Sequence, residues 1–157
     1  MIQRVQSLYL FTATVLMTLV CFLPMGRFLG GGEVFRLYAW GIRSAAEDAS
    51  GFVAFVPYMG ILVALTALLS LVILFLYRRR TLQLRLAAAQ MALLFGAQVY
   101  VGIYLYRTWA LISEQEVHRI VFSVTDIFPL FSIGLTLLAF RAIARDEALV
   151  RSLDRIR

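Results

Sequence analysis

Long uncharged stretches separated by short segments rich in arginine dominate the pattern of this chain. Four stretches, over residues 5–26, 49–77, 86–106 and 120–140, reach or exceed the roughly 20 apolar residues that a helix needs to cross a hydrocarbon core of about 30 Å. Lipid offers no hydrogen bonds to a bare backbone, so each stretch must close its own hydrogen bonds as a helix. The pattern predicts an all-α membrane protein, a four-transmembrane-helix bundle with spans over about residues 5–26, 53–77, 86–107 and 126–144.

The composition agrees with this class. Of 157 residues, 62% are hydrophobic and only 15% are charged, whereas a soluble domain carries about 25% charged residues. Four spans with short connections leave room for one transmembrane domain, followed by an amphipathic tail over residues 145–157. The net charge of +6 does not indicate a nucleic-acid partner, because the basic residues flank apolar spans and form no groove-reading or stacking motif.

The arginines predict the orientation. If the amino terminus is cytoplasmic, ten of the fifteen arginines lie in cytoplasmic segments and five in outer segments, as the positive-inside rule requires. Both termini then face the cytoplasm, and the one longer outer loop, residues 27–51, joins helices 1 and 2. Within it, residues 34–42 mix β-favouring and aromatic side chains and suggest a short extended segment. That segment either seals the bundle or recruits a partner by β-addition.

The cytoplasmic arginines are candidates for contact with lipid or a partner, since each basic residue near an anionic leaflet contributes about 1 kcal/mol. These candidates are Arg78, Arg79, Arg80, Arg85, Arg145, Arg151 and Arg155. In the tail, Leu149, Val150, Leu153 and Ile156 form an apolar stripe at helical spacing. The tail helix therefore lies on the membrane surface, continues span four, or docks onto a cytosolic partner. At the other terminus, Arg4 is placed to reach Asp146 or Glu147.

Span three carries the candidates for helix packing and for an intramembrane polar site. Ala88, Ala92 and Gly96 recur every four residues, a spacing that lets helix backbones approach closely. Gln90 and Gln98 lie in the same span. Glutamines in lipid hydrogen-bond across helices or, as the alternative, line a solute path.

Asp126 is the one ionisable residue inside the fourth stretch. We predict that it is the N-cap of span four, which makes Pro129 the third helical residue, where a missing amide costs nothing. An ion pair with Arg107 or Arg119, and a proton or ion site, are the alternatives.

The outer connection before Asp126 resembles a helix start. Ser113 and Glu116 have the spacing of a capping box, and Val117, Ile120, Val121 and Val124 follow at helical spacing. We therefore expect a short amphipathic outer helix there. The single histidine, His118, and the single cysteine, Cys21, have no partners at metal-ligand spacing, so no metal and no cofactor are expected.

Several segments resemble the bacterial membrane family named domain of unknown function 4293. The resemblance rests on the opening residues 1–10, the turn at residues 80–85, Phe128-Pro129-Leu130, and most closely the closing residues 141–157. It covers nearly the whole chain, with the outer loops matching least. The resemblance implies a four-span protein of a bacterial inner membrane and brings no catalytic residues with it.

No hydrolytic triad, phosphate-binding glycine loop or membrane-embedded carboxylate pair occurs in the sequence. The leading hypothesis is a non-enzymatic accessory, assembly or scaffold subunit. Its expected partners are the anionic lipids of the cytoplasmic leaflet and either another membrane protein or further copies of itself. The alternative is a small transporter or channel subunit with a polar path near Asp126, Gln90 and Gln98.

Overall fold

The computed structural model describes residues 2–30, 33–44, 54–112 and 117–154. Its helices are α1 (Ile2–Phe22), α2 (Pro57–Phe75), α3 (Arg80–Ile112) and α4 (Phe128–Asp154). Its strands are β1 (Gly26–Gly30), β2 (Glu33–Tyr38), β3 (Gly41–Ser44), β4 (Ala54–Phe55) and β5 (Val117–Phe122), and a 3₁₀ turn at Val124–Ile127 precedes α4. Within these residues, four helices are long and apolar enough to cross a membrane.

The helices differ greatly in length. At 1.5 Å per residue, the 19 residues of α2 cover about 28 Å and the 33 residues of α3 about 50 Å. The two helices are joined by a short turn, so α3 extends well past α2 at its far end. We call that end, where the strands lie, the sheet end, and the opposite end, where α1 begins and α4 finishes, the terminal end. Helix α4 continues to Asp154 and takes in most of the expected tail.

The four helices form a ring in which each packs against two neighbours, in the order α1-α2-α3-α4. Their buried positions recur at alternating spacings of three and four, the period of left-handed coiled-coil packing. On α3 these positions are Gln83, Ala87, Gln90, Leu94, Ala97, Val101, Tyr104 and Thr108. On α4 they are Pro129, Ser132, Thr136, Ala139 and Ile143. The interior of the bundle is therefore a seam of small, apolar and hydrogen-bonding side chains.

A five-stranded antiparallel sheet covers the sheet end, so the all-α prediction is wrong in this respect. The strand order is β4-β3-β2-β1-β5. Strands β1, β2 and β3 pair in sequence, with Phe28 opposite Phe35 and Leu37 opposite Ile42. The extended segment expected within residues 34–42 is thus part of a larger structure, since β2 and β3 enclose only the two-residue turn Ala39-Trp40.

The expected outer helix is also wrong where the structure describes it. Residues Val117–Phe122 form β5, which pairs with β1 and places Ile120 opposite Phe28. Three of these six residues are β-branched, and β1 offers them an open row of backbone hydrogen-bonding groups. Tertiary pairing therefore outweighs the helical spacing of the apolar residues. The capping-box motif at residues 113–116 lies outside the described residues.

Trp40 joins the sheet to the helices. Its Nε1 donates a hydrogen bond to the backbone oxygen of Cys21 at the end of α1, over 3.0 Å. Its own carbonyl accepts the amide of Val56, just before α2, also over 3.0 Å. Its ring rests against Gly60 in the first turn of α2 and leaves no room for a Cβ there. One side chain thus ties the β2–β3 turn to two helix ends.

Candidate functional site

A cavity of about 340 Å³ opens at the terminal end of the bundle. We call it the terminal cavity. Helices α1, α3 and α4 and the turn between α2 and α3 contribute to its wall. The lining residues are Gln6, Ser7, Tyr77, Arg80, Gln83, Ile143 and Asp146. Every lining residue except Ile143 carries a polar group, and the wall holds one charge of each sign.

Two glutamines fix the shape of the terminal cavity. Gln6 is buried, and its Nε2 donates to Oδ2 of Asp146 over 2.7 Å, which links α1 to α4. Gln83 is also buried, and its Nε2 donates to the carbonyl of Ile73 over 3.1 Å, which links α3 to the last turn of α2. Both amides therefore act as bonds between helices, and Asp146 is held in one position at the wall.

Arg4 was expected to contact Asp146 or Glu147. The side chain of Arg4 lies outside the described part of the structure. The amino-terminal helix does reach Asp146, but it does so through Gln6, two residues further along the chain. Among the described residues, no ion pair joins Asp146 to Arg80 across the terminal cavity. Among the described residues, Arg80 and Asp146 thus lie on the cavity wall as separate charges.

The arginine candidates sit around this cavity or beyond it. Arg80 lines the cavity and is half-buried, whereas Arg78, Arg79, Arg85 and Arg145 are exposed. Arg78 stays close to Tyr77, with its Nε donating to the phenolic oxygen over 3.2 Å and its guanidinium 5.7 Å from the ring centre. The side chain of Arg151 and the whole of Arg155 lie outside the described residues.

Gln90 lies at the centre of a second polar cluster, midway along the bundle. The Nε2 atom of this fully buried side chain donates to Oγ of Ser70 over 2.7 Å and to the carbonyl of Thr66 over 2.9 Å. On α4, the fully buried Ser132 and Thr136 are linked by a bond from the threonine hydroxyl to the serine carbonyl, over 2.7 Å. Gln90 thus bonds α3 to α2 across the interior.

Some buried polar atoms have no hydrogen-bond partner among the described residues. They are Oε1 of Gln90, Oε1 of Gln98, the hydroxyl of Tyr104, Oδ1 of Asp126 and Oγ of Ser132. All of these atoms belong to α3, α4 or the 3₁₀ turn between β5 and α4. Gln98 therefore differs from Gln90, since no bond from Gln98 to another helix is found within the described part of the chain.

Asp126 stabilises a helix start, but not as the predicted N-cap of span four. It is the third residue of the 3₁₀ turn Val124–Ile127, and its Oδ2 accepts the amide of Ser123 over 3.2 Å. Helix α4 begins at Phe128, so Pro129 is its second residue, still within the first turn, where a missing amide costs nothing. The additional 3₁₀ turn explains the difference, since it moves the cap three residues towards the amino terminus.

The predicted packing role of Ala88, Ala92 and Gly96 is wrong for this bundle. All three residues are exposed, and nothing lies within 4 Å of the position that a Cβ on Gly96 would take. Close packing uses Ala87 and Ala97 instead, on the neighbouring face of the helix. The small residues at this spacing lie on the outer surface of α3, away from the other three helices.

Most of the terminal cavity could not be predicted from the sequence. Gln6, Tyr77 and Gln83 each look like an ordinary polar residue at the end of an apolar span. One signal was present in the sequence. Gln83 and Gln90 are seven residues apart and therefore lie on the same side of α3. In a helix with apolar residues all round, such polar positions mark the side that faces other helices.

Among the described residues, no group of three or more His, Cys, Asp or Glu side chains is placed to hold a metal ion. In comparison with known proteins, a family model described as "Domain of unknown function (DUF4293)" matches residues 2–156, essentially the whole chain. No curated protein matches the chain.

Proposed function

The chain belongs to the DUF4293 family, and from this premise we propose that the protein is a non-enzymatic accessory or assembly subunit of a bacterial inner membrane. In this proposal both termini face the cytoplasm, which leaves ten of the fifteen arginines on that side. The terminal end is then the cytoplasmic end, and the sheet lies on the outer side of the membrane.

The observation that carries this proposal is the length and surface of α4. Its 27 residues cover about 40 Å, some 10 Å more than the hydrocarbon core requires. In its last turns, which project past the core, the side chains of Leu149 and Val150 remain 58% and 40% exposed. Apolar groups that protrude into water on a rigid helix support a protein contact. The expected occupant of this surface is the helix of a membrane-protein partner.

The interior polar residues give the proposal secondary support. Gln6, Gln83 and Gln90 are engaged in bonds between helices, and Asp126 accepts a backbone amide at a helix start. These are roles in building the bundle. An accessory subunit needs a stable frame with an exposed contact surface and does not need chemistry in its interior.

The test compares two sets of substitutions at the end of α4. Leu149→Glu with Val150→Glu places two charges on the exposed apolar surface, and Ala148→Glu places a charge on a different side of the same turn. We expect the double variant to migrate as a smaller species than the unchanged protein on native gels of gently solubilised membranes. The Ala148→Glu variant keeps the original size.

An unchanged size in the double variant contradicts the proposal. Mass spectrometry of the larger species identifies what it contains. If the larger species contains only this chain, the exposed end of α4 binds further copies of the same subunit and not a different protein. Deletion of residues 148–157 provides a second, independent disruption of the same surface.

A small transporter or channel subunit is the second candidate function. It is favoured by the buried oxygens of Gln98, Ser132 and Asp126, which have no hydrogen-bond partner among the described residues. In this case Asp126→Asn abolishes solute uptake or currents in reconstituted vesicles while the fold persists. In the accessory case Asp126→Asn changes stability alone, so the two functions are separated by one variant.

A further inference from the structure

The depth at which the terminal cavity lies in the membrane follows from the length of α2. The 19 residues of α2 are barely enough to cross the hydrocarbon core, so its last residue, Phe75, lies at the boundary of the core. Tyr77 and Arg80 follow within five residues and line the cavity. The terminal cavity therefore lies at the level of the lipid headgroups, where a tyrosine is also a usual interfacial residue.

The cavity presents a site for negative charge. Arg80 lines its wall and is the first residue of α3, a helix of 33 residues. The first turn of a helix carries amides without helical partners and the positive end of the helix dipole. A guanidinium beside such a helix start is suited to bind a phosphate group.

The opposite part of the cavity presents a site for positive charge. Asp146 reaches the wall from α4, and the bond from Gln6 to its Oδ2 holds it there. A carboxylate accepts up to about four hydrogen bonds, so one bond from Gln6 leaves capacity for an ammonium donor. Since no ion pair joins Arg80 to Asp146 among the described residues, a ligand with both charges satisfies both walls.

The size and surroundings of the cavity fit a headgroup with its chains outside. A volume of about 340 Å³ is at the lower end of the range of about 300–1,000 Å³ that small-molecule sites occupy. At the same end of the bundle, exposed apolar side chains are available to acyl chains on the outer surfaces of α1 and α2. They are Leu8, Phe11 and Phe75, exposed by 60%, 55% and 68%.

We propose that the terminal cavity binds a phosphate–ammonium zwitterion, in the form of the phosphoethanolamine headgroup of a membrane phospholipid. Arg80 and the start of α3 bind the phosphate, Asp146 binds the ammonium, and Gln6 is a positioning residue for Asp146. This inference does not depend on the proposed protein partner, because the cavity and the exposed end of α4 are separate surfaces.

The experiment measures lipid binding to the purified full-length protein by native mass spectrometry. Three lipids with identical chains are titrated: phosphatidylethanolamine, phosphatidylglycerol, which lacks the ammonium, and phosphatidylcholine, whose ammonium has no N–H donor. We expect phosphatidylethanolamine to bind about tenfold more tightly than either of the others, the value of one charge-assisted hydrogen bond. Equal binding of all three lipids overturns the proposal.

Two conservative variants separate the roles of the charges. Asp146→Asn keeps an acceptor for Gln6 but removes the negative charge. The two lipids phosphatidylethanolamine and phosphatidylglycerol should then bind with about equal affinity. Arg80→Gln should weaken the binding of both lipids by about tenfold and leave the ratio of their affinities unchanged. Matched controls are Glu147→Gln and Arg79→Gln, which change the same charges one residue away from the lining. If a control variant loses the preference for phosphatidylethanolamine, or if Asp146→Asn keeps it, the assigned roles of Arg80 and Asp146 are contradicted.

Three further experiments complete the test. Thermal unfolding in the same detergent shows whether each variant retains the fold, and Gln6→Leu tests positioning by removing the bond to Asp146 without changing any charge. Gln6→Leu should reduce the lipid preference while the affinity for phosphatidylglycerol is kept. Free phosphoethanolamine at millimolar concentration should not displace the bound lipid, and displacement would assign the cavity to a soluble zwitterion instead.

Discussion

Gln90 illustrates how single residues hold this bundle together. Its side chain is fully buried and donates to the hydroxyl of Ser70 and the carbonyl of Thr66 on the neighbouring helix. Lipid is as apolar as the packed side chains, so burial of apolar surface does little to hold helices together inside a membrane. Close packing and such hydrogen bonds then supply the association. Ser132 and Thr136 on α4 are buried in the same way.

Replacement of Gln90 tests this role. Gln90→Leu preserves the approximate volume but removes the bond from α3 to α2, so the free energy of unfolding should fall by about 1 kcal/mol, within the range of about 0.6–2 kcal/mol for such bonds. The measurement is a reversible unfolding titration in mixed micelles. Gln98→Leu is the control, since Oε1 of Gln98 has no partner among the described residues and its replacement should cost little. Equal losses in both variants would contradict the interpretation.

Trp40 and Gly60 form a close contact at the sheet end. A Cβ at Gly60 would overlap the indole ring, and the ring also donates to the carbonyl of Cys21. Gly60→Ala should therefore lower the free energy of unfolding by about 1–3 kcal/mol, the usual cost of overpacking. Thermal unfolding monitored by tryptophan fluorescence measures the effect. Gly96→Ala is the matched control, because it faces open space and should be neutral or slightly stabilising.

At the level of secondary structure, β5 shows how tertiary pairing overrides local spacing. Its apolar residues have the spacing of an amphipathic helix, yet Val117–Phe122 pairs along β1 as the last strand of the sheet. Strand β1 already pairs with β2 on one side and offers its other edge. An unpaired edge attracts a neighbouring segment with β-branched residues, and pairing satisfies both backbones. The sheet thereby joins the connection between α1 and α2 to the connection between α3 and α4.

A disulfide between β1 and β5 tests this register. Arg27 and Val121 are opposite each other and both exposed, and antiparallel partners have Cα atoms about 4.5–5.5 Å apart, within disulfide range. In a Cys21→Ala background, Arg27→Cys with Val121→Cys should oxidise to one internal disulfide. The control pair is Arg27→Cys with Phe122→Cys, in which a shift of one residue turns the second thiol to the other face. Efficient oxidation of the control pair would contradict the pairing.

On the scale of the whole molecule, the two ends have different structures. Helix α3 passes well beyond α2 at the sheet end, where Leu105 lies beside Gly26 of β1 and supports the sheet. At the terminal end, α4 continues eight residues beyond Asp146 of the terminal cavity, to Asp154. The exposed Ala88, Ala92 and Gly96 face outward between these ends. Each end of the bundle therefore has its own surface.

The proposed orientation is tested by labelling single cysteines with a membrane-impermeant maleimide, again in a Cys21→Ala background. Arg36→Cys lies on an exposed position of β2, and Arg145→Cys on an exposed position near the end of α4. In intact spheroplasts we expect the first to be labelled and the second to react only after permeabilisation. Reaction of both before permeabilisation, or of Arg145→Cys alone, would overturn the sidedness.

The sequence alone determined that four helices can cross a membrane, because lipid leaves an apolar backbone no other way to close its hydrogen bonds. It did not show which face of each helix points inward. Since α3 is apolar on the outside as well as the inside, the small residues at 88, 92 and 96 could not be told from those at 87 and 97. The sheet, the position of Asp126 and the terminal cavity were decided by tertiary structure. Each depends on residues far apart in the chain, such as Gln6 and Asp146, whose meeting no local pattern encodes.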